Sequence, residues 1–309
     1  MTLPAYDLVG ETLLRALAER GFQATLPEPT TLEIVLPDGH CLTQDITEWR
    51  RNADRGGPAV VPRIAAEFAD QAATVLGRYA AQQRAGGMPS PESLRTRIYT
   101  DEAIGDMRDG VVARRLAPGL LETVVIDHPD MMTVLNRADL GDADENRVFG
   151  TALANSIGAE PHYAESDDVQ GVPVTHIGGT HRYVGAHVHV LGRHVDPSRA
   201  PYGALVSFPV PEYVIVHVIE DDVHLFGAME VMQALTEHQF ERGEKSISPQ
   251  VYWWRPGPYE RLPEEEALAG GGVPDLRPVG IEIDHEDKTV TSGTADTAEL
   301  VDLWMLDRA

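Results

Sequence analysis

Ala204-Leu205-Val206-Ser207-Phe208-Pro209-Val210-Pro211-Glu212-Tyr213-Val214-Ile215-Val216-His217-Val218-Ile219-Glu220 is the most apolar stretch of the chain. Two prolines and a glutamate break it in the middle, so it is too short to span a bilayer. It reads instead as two short Val-rich strands, Leu205 to Phe208 and Tyr213 to Ile219, joined by a Pro-x-Pro turn. Further Val-rich runs lie nearby: Val172 to His176, Val184 to Leu191 and Val251 to Trp254. Strands that follow one another so closely favour antiparallel pairing. Three amphipathic stretches, about Tyr6 to Glu19, Asn146 to Gly158 and Ala228 to Glu241, supply helices to pack on them. The fold class expected is α+β, as two related modules of mostly antiparallel sheet with helices packed on one face.

Outward from this core the chain divides by composition. Before Gly86-Gly87-Met88-Pro89-Ser90-Pro91, the clearest linker, a helix is followed by a hairpin. Its strands are Thr31 to Leu36 and Cys41 to Asp45, turning at Pro37-Asp38-Gly39-His40. A long helix opening at Pro62 comes next. This gives a helix–hairpin–helix module over residues 1–87 and an α+β region over 92–262. Residues 263–309 form an acidic Gly/Pro loop (Pro263 to Pro278) and a tail with one strand, Val279 to Ile283, and a short helix, Ala298 to Leu306.

The 309 residues carry 25 Lys and Arg against 49 Asp and Glu, a net charge of −24. Such a chain repels nucleic acid and anionic membrane unless its basic residues cluster, and the densest spots are only Arg50-Arg51 and Arg114-Arg115. Met1 to Asp7 lacks the basic start of a secretory signal, so a soluble, cytoplasmic protein is expected. One cysteine, Cys41, excludes a disulfide framework and a Cys-based zinc ribbon; a buried structural thiol is its expected role. Gly-x-Ser-x-Gly, a phosphate loop and a dinucleotide fingerprint are absent. No catalytic residue is nominated.

Histidine is the one chemically suggestive residue. His176, His181, His187, His189 and His194 fall close together. On a strand, His187 and His189 point to the same face with Cα atoms ~6.5 Å apart. Imidazole is a good ligand for zinc, copper or iron, and His217 on a neighbouring strand offers a third ligand. The pair resembles a cupin-type His-x-His strand, yet Val190, Leu191, Gly192 and Arg193 stand where that motif expects a carboxylate. The competing reading leaves both histidines on an outer face, with Val184, Ala186, Val188 and Val190 inward. No cofactor is expected on that reading; a divalent metal is expected on the other.

For partner contact the candidates are Asp196, Ser198 and Arg199, against a plain turn with Arg199 paired to Glu212 or Glu220. Trp253 is a further candidate. Alternation puts it opposite Tyr252 and Trp254, either as an exposed anchor or packed under the 263–278 loop.

The order of elements also resembles a known family. Thr96-Arg97-Ile98-Tyr99, the strands of Leu116 to Asp127, Thr133 to Leu140 and the helix Asn146 to Gly158 come first. Asp196-Pro197-Ser198-Arg199, Ala204 to Glu220 and Ser248-Pro249-Gln250-Val251-Tyr252 follow. Together, over about Leu94 to Leu262, they are similar to the YtpQ-like bacterial family of unknown function. The resemblance implies an α+β layout like that of secretion-chaperone and YbjN-like proteins, which bind other proteins. It transfers no activity, and His187 and His189 depart from the aromatic or aliphatic strand usual there. The expected function is a non-enzymatic, chaperone- or immunity-like module for a protein partner, a basic one by charge. The alternative is a metal-dependent enzyme using His187, His189 and His217.

Overall fold

The computed structural model describes residues 7–35, 41–85, 87–128, 131–221, 224–243, 245–306 and 308. The turn Pro37–His40 and the side chain of Cys41 lie outside them. The fold is α+β, every strand pairing among the described residues is antiparallel, and the chain divides into two compact units, 1–86 and 87–309.

In the first unit, α1 (Leu8–Glu19) precedes β1 (Gln23–Glu28), β2 (Thr31–Val35) and β3 (Cys41–Asp45), then α2 (Thr47–Gly56) and α3 (Val61–Ala85). Asp7 caps α1 by accepting from Gly10 N–H at 3.0 Å and holds Arg50 at 2.6 Å. The Arg50 hydrogen bond keeps its carboxyl below the usual range. Leu13 and Leu17 of α1 meet Leu32 and Ile34 of β2, with Ala65 and Ala69 of α3 closing the core. Neither β1 nor α2 stands out in the sequence pattern.

The second unit starts with β4 (Leu94–Thr100), a one-turn α4 (Asp101–Ile104), β5 (Ala113–Ala117), β6 (Leu120–His128) and β7 (Met131–Val134). β6 is the hub, pairing with β4, β5 and β7. α5 (Glu145–Gly158), capped by Asp144 through Arg147 N–H at 2.9 Å, packs Val148, Phe149 and Ala152 on Leu94, Val124 and Ile126.

A six-stranded sheet follows, in the order β13-β12-β10-β11-β9-β8. Its strands are β8 (His162–Val169), β9 (Val172–Gly179), β10 (Ala204–Ser207), β11 (Tyr213–Val218), β12 (Val251–Trp254) and β13 (Leu276–Val279). α6 (Leu225–Arg242) lies between β11 and β12, and α7 (Glu264–Ala269) between β12 and β13. β14 (Ile281–Asp284), β15 (Thr289–Ser292) and α8 (Ala295–Leu306) end the chain.

Both faces of the large sheet are covered. Leu205, Ile215 and Trp253 face Met229 and Met232 of α6 and Leu300 of α8. Val206, Val216, Tyr252 and Trp254 face Ile98, Leu120, Val184, Val188 and Leu191. Double burial is why β10, β11 and β12 read as continuous apolar runs, without polar alternation. Helices α6 and α8 lie on one face, as expected, and the other face is covered by the β4–β6 sheet and a 3₁₀ segment.

Three expectations change. Val184–Arg193 is that 3₁₀ segment, where a strand was expected. The 263–278 stretch is not all loop, since it contains α7 and the start of β13. The residues after Leu262 are structural parts of the second unit: β13 pairs with β12, and Leu300 and Trp304 of α8 join the core.

Candidate metal centre

His162, His187 and His194 converge. One ring nitrogen from each lies within 4.8 Å of the other two. His162 opens β8 opposite Gly179 of β9. A Cβ on Gly178 would meet the Tyr163 ring and one on Gly179 would meet His181, so a larger residue at either place would displace those side chains. His187 comes from the 3₁₀ segment, and His194 ends that segment, its N–H donating to Leu191 at 2.9 Å.

The geometry is compact. His187 Nδ1 lies 3.0 Å from His194 Nε2, and the His162 and His187 rings are 4.1 Å apart. Two nitrogens bonded to zinc at 2.0–2.1 Å in a tetrahedron are about 3.3 Å apart, so the His187–His194 spacing is already close to a coordination edge. His187 is fully buried, and its Nε2 has no hydrogen-bond partner. A buried polar atom without a partner is costly.

Electrostatics favour the ligand form. Burial, then the positive potential of His162, His194, His181 and Arg193, pushes His187 down to about 3. Burial with His162 and Arg193 pushes His194 down to about 4. Both imidazoles are therefore neutral at physiological pH, the ligand form; across the 3.0 Å contact one ring donates its N–H to the other, and a metal takes the place of that shared proton. His181 is close by but differently used. Its Nδ1 accepts from Tyr183 N–H at 3.1 Å, so its Nε2 carries the proton and offers no lone pair. The cluster could hold a metal ion.

The three histidines nominated by spacing do not meet. A 3₁₀ helix turns about 120° per residue, so His187 and His189, two apart, diverge by about 240°, whereas a strand would align them. His189 enters another buried cluster. Its Nε2 lies 3.0 Å from Glu122 Oε1, and its Nδ1 lies 2.6 Å from the Tyr259 hydroxyl. Arg114 completes this cluster, 2.7 Å from Glu122 and stacked 4.4 Å over Phe149. Burial alone would raise the Glu122 carboxyl, but the charges and hydrogen bonds of His189 and Arg114 outweigh it and hold it at about 2. A cavity of about 160 Å³ opens beside the cluster, lined by His189, Arg193, Trp254, Tyr259, Glu260 and Glu264. His217 is buried on β11, 2.7 Å from the Pro173 carbonyl.

Asp196 accepts from Ser198 N–H at 2.9 Å and from its hydroxyl at 2.6 Å, closing a 3₁₀ turn. Arg199 pairs with Glu220 at 2.6 Å. Trp253 is 1 % exposed and donates to the Tyr202 carbonyl at 2.6 Å; it is a core residue and presents no surface anchor. His162 is the candidate ligand that sequence reasoning missed. Its only signal is the Gly178-Gly179 pair opposite Tyr163 and His162, which is visible once the β8–β9 register is known.

No helix among the described residues is long and apolar enough to cross a membrane. No protein-family model, curated protein or solved structure matches the chain.

Proposed function

We propose that the second unit binds a divalent transition metal of the zinc, copper or nickel class through His162, His187 and His194. The observation that carries this is the convergence of His162, His187 and His194, with His187 fully buried and its Nδ1 3.0 Å from His194 Nε2. An all-imidazole set suits these metals over calcium or magnesium, which take oxygen ligands. With three imidazoles supplied by protein, a tetrahedral ion keeps a position for water, and zinc lowers the pKa of such water to about 7. On this reading a metal-dependent hydrolytic activity is open to the site. The test is titration of chelator-treated protein with Co²⁺, followed by visible absorption. Tetrahedral cobalt bands saturating at one ion per chain, and lost in His187→Ala, support the reading. Substoichiometric uptake, or unchanged bands in that variant, overturns it.

A second reading, a module that docks a basic protein partner, is favoured by the net charge of −24 and by the exposed carboxylates of β8. Capture of a basic protein by the intact chain, reversed by salt, tests it.

A further inference from the structure

β8 is an end strand of the six-stranded sheet, and among the described residues its one strand partner is β9. His162 to Asp168 are exposed and Val169 is half-buried. Apart from its two ends, His162 against His187 and Val169 against the α6-side core, the strand is held by its ladder to β9. The ladder is regular over all eight residues, with no bulge, and the strand contains no proline or lysine. Of the devices by which sheet edges are usually made unfit for pairing, it has only charge, the carboxylates of Glu165, Asp167 and Asp168, which repel like edges and admit a basic one.

The direction of the free backbone groups can be read from β9. Gly179 N–H donates to the Glu212 carbonyl, on the β11 side. Its backbone thus turns away from β8, and the opposite residue, His162, turns its own groups away from β9. Alternation then places the N–H and C=O groups of Ala164, Ser166 and Asp168 outward as well. Tyr163, Glu165 and Asp167 share one face of the strand, and Asp168 lies on the other.

Charge selects the occupant. A second copy paired along this edge would set Glu165, Asp167 and Asp168 near their own counterparts, and like charges across strands are destabilising. An extended segment with lysine or arginine at alternate positions places cations opposite Glu165 and Asp167. We infer that β8 is a docking edge for a basic, extended segment of another protein, which adds to the sheet as a seventh strand. This rests on the second reading above and supplies its mode of binding.

The experiment uses the full chain and a fluorescent, end-blocked (Lys-Val)₄ peptide, with a partner peptide N-methylated at alternate residues. The methylated peptide keeps the charge and loses the outward-pairing donors. The expected result is saturable anisotropy with (Lys-Val)₄ alone. It should be accompanied by slowed hydrogen exchange at the Ala164 and Ser166 amides. Affinity should fall at least about tenfold in Glu165→Lys/Asp167→Lys, a variant of exposed side chains whose far-UV circular dichroism checks the fold. Equal binding of the methylated peptide, or no exchange slowing at Ala164 and Ser166, overturns strand addition but leaves docking of a basic partner standing. Absence of binding by both peptides overturns the proposal, and salt-reversible capture of a basic protein by the same chain would show whether the second reading falls with it.

Discussion

His189 Nε2 lies 3.0 Å from Glu122 Oε1, with both side chains enclosed by protein. This joins the 3₁₀ segment to the hub strand β6, and Arg114 completes the charge balance. Glu122→Gln keeps the shape but leaves the Arg114 guanidinium buried without its anion, a change that costs about 3–5 kcal/mol. The pH dependence follows from the carboxyl being held at about 2 against an ordinary value of 4.5. A depressed carboxyl stabilises fully above the unfolded value and loses that contribution as pH falls through the folded one. Urea unfolding of both proteins should show a wide gap at neutral pH that narrows toward pH 2. A gap independent of pH would contradict the assignment.

Metal linkage separates the converging histidines from the others. Zinc at about a hundredfold its Kd should stabilise the chelator-treated protein by about 2.7 kcal/mol. The increment should vanish in His187→Ala and shrink in His162→Ala. It should survive in His217→Ala, whose ring is bonded to the Pro173 carbonyl and is not one of the three that converge. Thermal melts with and without zinc decide this.

Trp253 is buried between β10 and α6 and bonded to Tyr202. Trp253→Ala should cost about 3–5 kcal/mol, read as a lower melting temperature. A normal melting temperature with lost partner binding would instead mark a surface anchor.

Gly203 has φ +83°, and a Cβ there would collide with the Trp254 carbonyl oxygen. Gly171 has φ +85° but open space around it. Gly171→Ala should therefore cost only the left-handed strain of about 1 kcal/mol. Gly203→Ala should cost at least about twice that, since backbone must also move. Equal losses in denaturant unfolding would mean that the close approach is unimportant.

What the sequence revealed follows burial. β10, β11 and β12 are apolar except for Ser207 and His217 because both faces are covered, and Asp144 and Gly158 bracket α5 with recognisable end signals. β8 was hidden because Glu165, Ser166, Asp167 and Asp168 have no buried face to imprint a pattern. β13 was hidden by Pro278 and the preceding glycines, which an edge strand tolerates. In Val184–Leu191, valine and histidine alternate as in a strand, and nothing local distinguishes that from a 3₁₀ helix. The metal cluster was illegible for the same reason. His187 was paired with the wrong neighbour, and His162 lies on a strand that composition does not announce.

The place of β13 has a practical consequence for anyone shortening this protein. Gly270-Gly271-Gly272 looks like a natural cut site, with only a loop and tail beyond it. Cutting there would remove the neighbour of β12 and the α8 residues Leu300 and Trp304 that seal the sheet. The raw edge left behind would carry Val251, Tyr252, Trp253 and Trp254, an aromatic strand with unpaired backbone. A truncated chain of this kind is expected to accumulate in inclusion bodies, and expression trials should keep the C-terminal segment through α8.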